Sequence, residues 1–258
     1  MLPVRLPHAR SRAYGWLPDL PDARDWVFAA RAPRRMPART DLRAGCSAVE
    51  DQGDLGSCTA QALAGALEFL ERTHRRAFEE RSRLFIYYNE RVVLHTVRED
   101  SGAMLRDGIK TLAAQGACGE KLWPYAPAKF ASRPPAACYR DGSRHQITEY
   151  RRIADVDGMR TCLAGGFPFV FGFMVYESFE TRAVARTGVV ALPGRREKAL
   201  GGHAVMAVGY DDAAKRFLVR NSWGTKWGMR GYFTMPYAYL ASRDLSDDFW
   251  VIRAGEGL

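Results

Sequence analysis

The chain has no hydrophobic run long enough to cross a membrane as a helix. Its longest nearly unbroken apolar stretch, Phe167 to Tyr176 (FPFVFGFMVY), has ten residues. That is about half of the ~20 that a spanning helix needs, and it reads as a buried strand. A hydrophobic h-region is also missing from the first thirty residues, which Pro3, Pro7, Pro18 and Pro21 interrupt and arginines stud. No secretory leader is therefore expected, which leaves the cytosol, export by another route, or a leader already removed. Lysine is scarce, with six against 32 arginines in a chain of net charge +9. Arginine forks suit phosphates, but the clusters PRR and GRRE match no nucleic-acid motif and lack interleaved aromatics. Arginine-rich codon usage explains the skew as well, and no nucleic-acid partner is expected.

Metal-ligand spacing is absent too. The five cysteines (Cys46, Cys58, Cys118, Cys138 and Cys162) form no Cys-x-x-Cys pair and no Cys/His cluster of zinc type. Neither a metal nor another cofactor is expected. The odd count leaves at least one thiol outside any intramolecular disulfide. What is present suits a globular protein: 258 residues, 47% hydrophobic and 26% charged, enough for a sizeable core and one or two domains.

The grammar changes twice along the chain. Residues 1–36 are rich in proline and arginine yet carry Tyr14, Trp16, Trp26 and Phe28. Disordered tails are poor in aromatics, so these residues read as an extended arm that packs on something. Residues 37–145 are mainly helical. TAQALAGALEFLERTHRR, SRLFIYYNERVVLH and MLRDGIKTLAAQG repeat their apolar residues at helical spacing, and Gly116 is a stop for the third. Residues 146–258 read as short strands, PFVFGFMV, HAVMAVGYD, RFLVRN, GYFTM and DFWVIR, rich in valine and aromatics and parted by turn residues. A helical lobe followed by a β lobe implies a groove between them.

Cys58 sits where the first helix should begin, with Ser57 or Asp54 placed to cap it. Helix N-termini favour anions and lower thiol pKa values, although a small buried cysteine at a helix start is also ordinary structure. A nucleophilic thiol needs a base. His74 and His145 lie in charged, solvated settings, His8 in the arm, and His95 near a helix end. His203 differs: in LGGHAVMAVGYDD it stands at the mouth of an apolar strand behind two glycines. Asn221 ends another strand before a loop with Trp223 and Trp227. An amide there can hold an imidazole in one tautomer, and an indole can keep water off that bond.

Together these segments resemble the papain family of cysteine peptidases over residues 37–258. QGDLGSC carries a glutamine, Gln52, six residues before Cys58; GGHAVMAVGY resembles the histidine strand and NSWGTKWGMRGYF the asparagine loop. His203 lies 145 residues beyond Cys58, within the ~130–150 of the family pattern, while Asn221, 163 beyond, falls slightly outside it. Asp41 to Arg43 (DLR) is similar to the start of the mature enzymes, and GEKLWPY to the segment linking the lobes.

The resemblance implies a two-lobe α+β fold, with a helical lobe facing an antiparallel β-barrel-like lobe across the active-site cleft. It implies peptide hydrolysis through a Cys58 thiolate and a His203 imidazolium. Asn221 would orient the ring under Trp223, and Gln52 with the Cys58 N–H would form the oxyanion hole. Polypeptide substrates and a proteinaceous inhibitor are the implied partners. The substrate groove would use the Gly102 backbone and a pocket near Met104, Gly172, Gly201 and Ala204, with Asp247 or Asp248 at its floor to accept arginine. Departures are Leu55 at a usual disulfide cysteine, Thr59 for an aromatic, DSGAM for GCNGG, and Gly202 for Asn or Asp. The family's disulfides therefore do not carry over, and the stripped framework is most like bacterial members. An isopeptidase or acyltransferase, or a silent peptide-binding homologue, would share the same residues. For residues 1–36 two roles stand side by side: a lid over Cys58, or a strap on the β lobe.

Overall fold

The computed structural model describes residues 13–29, 35–73 and 78–253. His8 and His74 lie outside the described residues, as do the first twelve positions of the arm. The elements follow in the order β1 (Arg39–Asp41), α1 (Cys58–Thr73), α2 (Arg83–Val93), α3 (Leu105–Gln115), α4 (Ala136–Gly142), β2 (Glu149–Arg152), α5 (Val156–Ala164), β3 (Phe169–Tyr176), α6 (Arg182–Thr187), β4 (Ala199–Asp211), β5 (Arg216–Arg220), β6 (Tyr232–Pro236), α7 (Tyr237–Ala241) and β7 (Ser246–Arg253). The change from a 3.6-residue to a two-residue period thus separates helices from strands, an α+β arrangement.

Local chemistry sets the helix ends. The Ser82 side chain accepts from the Phe85 N–H and caps α2. Gly116 ends α3 with φ at 67°, a turn of the backbone that glycine takes without a Cβ clash. The Ser57 hydroxyl, just before α1, pairs with the Tyr125 hydroxyl at 2.7 Å.

Helix α1 is buried from Cys58 to Glu71, packed by α2, α3 and β4. Its alanines and leucines meet that demand, while Thr59, Gln61, Glu68 and Glu71 are buried polar residues that need partners, Glu68 above all. This fully buried carboxylate accepts from the Ser47 hydroxyl at 2.5 Å, the Arg81 N–H at 2.8 Å and Arg83 Nη2 at 3.1 Å. A buried charge is tolerated only with such partners.

The strands form a sheet in the order β2-β7-β3-β4-β5-β6, with β1 added against β4, and the named pairs are antiparallel. The antiparallel lobe is barrel-like but not closed, since β2 and β6 end the order without pairing each other. Both edges are covered by short segments instead. Val27 bridges to Arg152 on β2, and Val189 to Thr234 on β6. Such cover protects backbone groups that would otherwise pair with another chain.

Strand β3 is buried on both faces, and its alternation sorts two cores. Phe169, Phe171, Phe173 and Val175 join a cluster with Phe217, Phe233 and Trp227. Val170 joins the other cluster, with Leu63, Leu67, Phe85 and Ile109 of the helices. Gly172 falls on that second side. Replacing Glu68 by Ala should destabilise the protein by about 3 kcal/mol, since Arg83 then stays buried with the Arg81 carbonyl and the longer contacts to Glu50 and Glu120. Urea denaturation measures this, and a loss below ~1 kcal/mol would show that the carboxylate is not an anchor.

Candidate active site

Cys58 is the first residue of α1 and has no exposed surface. Burial pushes its thiol up to about 11, against backbone hydrogen bonds from Ala204, Gly15 and Thr59 that favour the anion. The lowered pKa expected at a helix start is therefore not what this state has, because the arm's Gly15 lies over the thiol and keeps water away. Behind it, the Thr59 hydroxyl donates to Glu90 at 2.9 Å. Burial raises Glu90 to about 8, so little negative charge stands behind the thiol at neutral pH.

His203 comes from β4, opposite Phe173 in the β3 register. Its Nε2 lies 2.8 Å from Asn221 Oδ1. The same oxygen accepts the Ser222 N–H at 2.9 Å, which fixes the amide with oxygen toward the ring. An oxygen acceptor requires that Nε2 carry the proton, so Nδ1 is the basic nitrogen. The Trp223 ring stacks on the imidazole at 5.0 Å with an interplanar angle of 27°. All three residues are buried. Ala204, whose backbone touches the Cys58 thiol, is the next residue on β4, so strand and helix N-terminus meet here.

Gln52 is fixed in the same way. Its Oε1 accepts the Ser222 hydroxyl at 2.6 Å. Its Nε2 donates to Leu55 O at 3.0 Å and to the carbonyl of Ala13, in the arm, at 3.3 Å. The amide N–H therefore points into the cleft. Ser222 was not singled out in the sequence, although its place in NSWG was a signal.

The arm runs through the cleft. Ala103 N–H donates to Gly15 O at 2.7 Å, Leu17 N–H to Ala103 O at 2.9 Å, and Trp16 N–H to Gly202 O at 2.9 Å. The approach is so close that a Cβ on Gly15 would stand 1.8 Å from Gly56 O. The Tyr14 ring meets the His203 ring edge-on at 6.3 Å, and its hydroxyl donates to Glu180. Trp16, 5% exposed, fills a pocket over Gly172, where a Cβ would stand 1.9 Å from the indole. The apolar residues of the arm do not all bury: Trp26 is 69% exposed and lies beside Arg151.

The remaining sequence candidates divide. Gly172 and Gly202 face Trp16, and Gly201 faces the Tyr14 side chain. The Gly102 N–H donates to the Tyr87 hydroxyl, and the pair of backbone bonds to the arm belongs to Ala103. Met104 precedes α3 as its N-terminal flank. Asp247 is held by Arg152 at 2.8 Å and Arg243 at 2.6 Å. Asp248 has the pocket floor, accepting Trp16 Nε1 at 3.1 Å and the Asp19 N–H at 2.8 Å on one oxygen and Arg152 at 3.0 Å on the other. Burial and then the nearby Asp19 carboxylate push Asp248 up to about 7. His145 pairs with Glu71 at 3.0 Å rather than standing free in solvent. Among the described residues no group of His, Cys, Asp and Glu is arranged to hold a metal ion, and no helix is long and apolar enough to cross a membrane.

Comparison with known proteins places the chain in a family. The family model for papain family cysteine proteases matches residues 32–242. A peptidase C1-like protein of Acanthamoeba polyphaga mimivirus is 41% identical over 94% of this chain and 87% of its own. A cathepsin B-like protein of Giardia intestinalis is 30% identical over 81% and 71% respectively. The crystal structure of xylellain, a cysteine protease from Xylella fastidiosa, superposes with a TM-score of 0.89 at 41% identity, covering 97% of this chain and 99% of that one. Procathepsin L2 of Tenebrio molitor, at 21% identity and a TM-score of 0.75, shares the fold. The chain is a cysteine peptidase and belongs to the papain family.

Proposed function

We propose that the protein cleaves within polypeptides, using Cys58 as nucleophile and His203 as its base, and that residues 13–17 hold it in a restrained state. The carrying observation is the His203–Asn221 bond, 2.8 Å long and sealed by Trp223, at the N-terminus of the helix that Cys58 begins. With Nε2 committed to Asn221, Nδ1 takes the thiol proton and the thiolate attacks a peptide carbonyl. Gln52 Nε2 and the Cys58 N–H then receive the oxyanion. The imidazolium passes its proton to the leaving amine, and a thioester remains. Water, deprotonated by Nδ1, releases the acid. Asn221 and Ser222 act as positioning residues. Passage of the arm on both sides of Gly15 supports an endopeptidase groove, because a chain can continue past the thiol in each direction. The same groove suits a proteinaceous inhibitor.

The arm supports the restrained reading on three counts. Gly15 covers the thiol, the Ala13 carbonyl occupies the Gln52 N–H, and Trp16 fills the neighbouring pocket. The rival strap on the β lobe accounts for Trp26 to Phe28 on β2, not for these contacts.

The test is activity on a short peptide with reductant, together with epoxide labelling of Cys58. Cys58→Ala and His203→Ala should each fall to background, and Gln52→Ala should lose ~10²-fold in kcat with the fold intact. Peptidase activity that persists in Cys58→Ala refutes the assignment.

A second measurement addresses the arm. Gly172→Ala places a methyl inside the Trp16 indole, so iodoacetamide should alkylate Cys58 faster, with mass spectrometry reading the site. Because burial under the arm raises the thiol pKa, the covered state holds its proton more firmly, and rising pH works against covering. Removal of residues 1–35 should accordingly move the midpoint of labelling against pH well below about 11. An unchanged rate and midpoint in both proteins would leave only the strap.

A further inference from the structure

The arm is a ligand whose contacts reveal what the groove can bind. Beyond Trp16 it places the Asp19 carboxylate in a cradle made by the rest of the chain. The Asp19 side chain is wholly buried. One of its oxygens accepts Trp250 Nε1 at 2.9 Å, and the other accepts the Arg106 N–H at 3.1 Å, at the start of α3. The Arg152 guanidinium stands 3.8 Å away. The Arg106 side chain, 5% exposed as a residue, grips Asp25 with Nε at 3.1 Å and with Nη2.

When the arm leaves, these donors stay behind. Trp250 has no exposed surface in this state, and its N–H and the helix N–H lose their acceptor together. The charge balance shifts as well. Asp19 and Asp25 depart, and among the described residues Arg106, Arg152 and Arg243 with Lys110 are then set against Asp247, Asp248 and Asp107, which leaves one positive charge over. A site with two fixed N–H donors and a surplus guanidinium binds a carboxylate. It disfavours arginine, the side chain expected from the sequence for this end of the groove, because Arg152 already neutralises Asp248.

We propose that the Asp19 cradle is a carboxylate-binding subsite of the substrate groove, so that the enzyme selects polypeptides whose Asp or Glu side chain reaches Arg106 and Trp250 from beside the Trp16 pocket. This rests on the peptidase reading above. The net charge of +9 favours the approach of acidic over basic polypeptides at long range.

Two arms of one experiment separate the subsite from the chemistry. The full chain carrying Trp16→Ala and Asp19→Ala, which releases the arm's two anchors, should first show faster Cys58 labelling. Labelling no faster than in the parent means that Asp19 contributes no affinity and overturns the proposal. With Cys58→Ala added, this protein is titrated with the five-residue peptide GWLPD, matching Gly15 to Asp19, and with its twin GWLPN. The acidic peptide should bind about ten-fold more tightly, as expected when a charge-assisted pair is made neutral. Arg106→Gln should bring the two affinities close together. Equal binding of the twins refutes the subsite whether or not any peptide is cleaved. In the second arm the enzyme with Cys58 intact digests a peptide library. Enrichment of Asp and Glu at one position, two or more residues from the cut, is the expected profile, and a flat profile overturns the selectivity. No Cys58-dependent cleavage at all would fail the peptidase reading, while the titration still judges the cradle.

Discussion

The antiparallel register of β3 against β4 governs the molecule. Phe173 stands opposite His203, and Gly172 opposite Ala204. Because strand side chains alternate, this register sends the histidine and phenylalanines to one face and the glycine and alanine to the other. A slip of β4 by one residue would put the imidazole into the wall of the Trp16 pocket, and a slip of β3 would instead put a phenylalanine against α1. Trp223, Asn221 and Phe179 converge on the histidine face only while the register holds. Both hydrophobic clusters fix it, since each face is buried.

The second governing element is the amide orientation set by Ser222. Its N–H aims the Asn221 oxygen at the imidazole, and its hydroxyl aims the Gln52 oxygen away from the cleft. A single serine thus defines one histidine tautomer and one cleft-facing donor. Neither amide has to be held by a charge, because the Ser222 N–H and hydroxyl hold both.

Much of this was legible in the sequence for identifiable reasons. The helices announced themselves by period, and Gly116 by its position after the last apolar residue. FPFVFGFMVY read as buried because no polar residue interrupts it. The pairing of Cys58 with the β4 strand depended on resemblance, since the contact of Cys58 with Ala204, 146 positions further on, leaves no local trace. What was not legible depends on packing. The openness of the sheet follows from which segments cover β2 and β6, and the raised thiol pKa from where the arm lies. Asp247 and Asp248 are adjacent in sequence, and only the backbone turn at Asp248, with φ at 58°, decides which carboxylate faces Trp16. Trp26 looked as suited to burial as Trp16, yet no cavity awaits it.

The arm does one more thing at its far end. Phe28 N–H donates to Arg152 O, and Arg152 N–H to Trp26 O, both at 2.8 Å, so the chain closes the free edge of β2. If the arm is shed, that hydrogen-bonding edge opens together with the cleft. A four-residue strand with unpaired amides is a template for pairing with another copy. The segment that covers the thiol therefore also covers this edge, and a chain cut between Leu17 and Trp26 would keep the edge covered while the cleft empties.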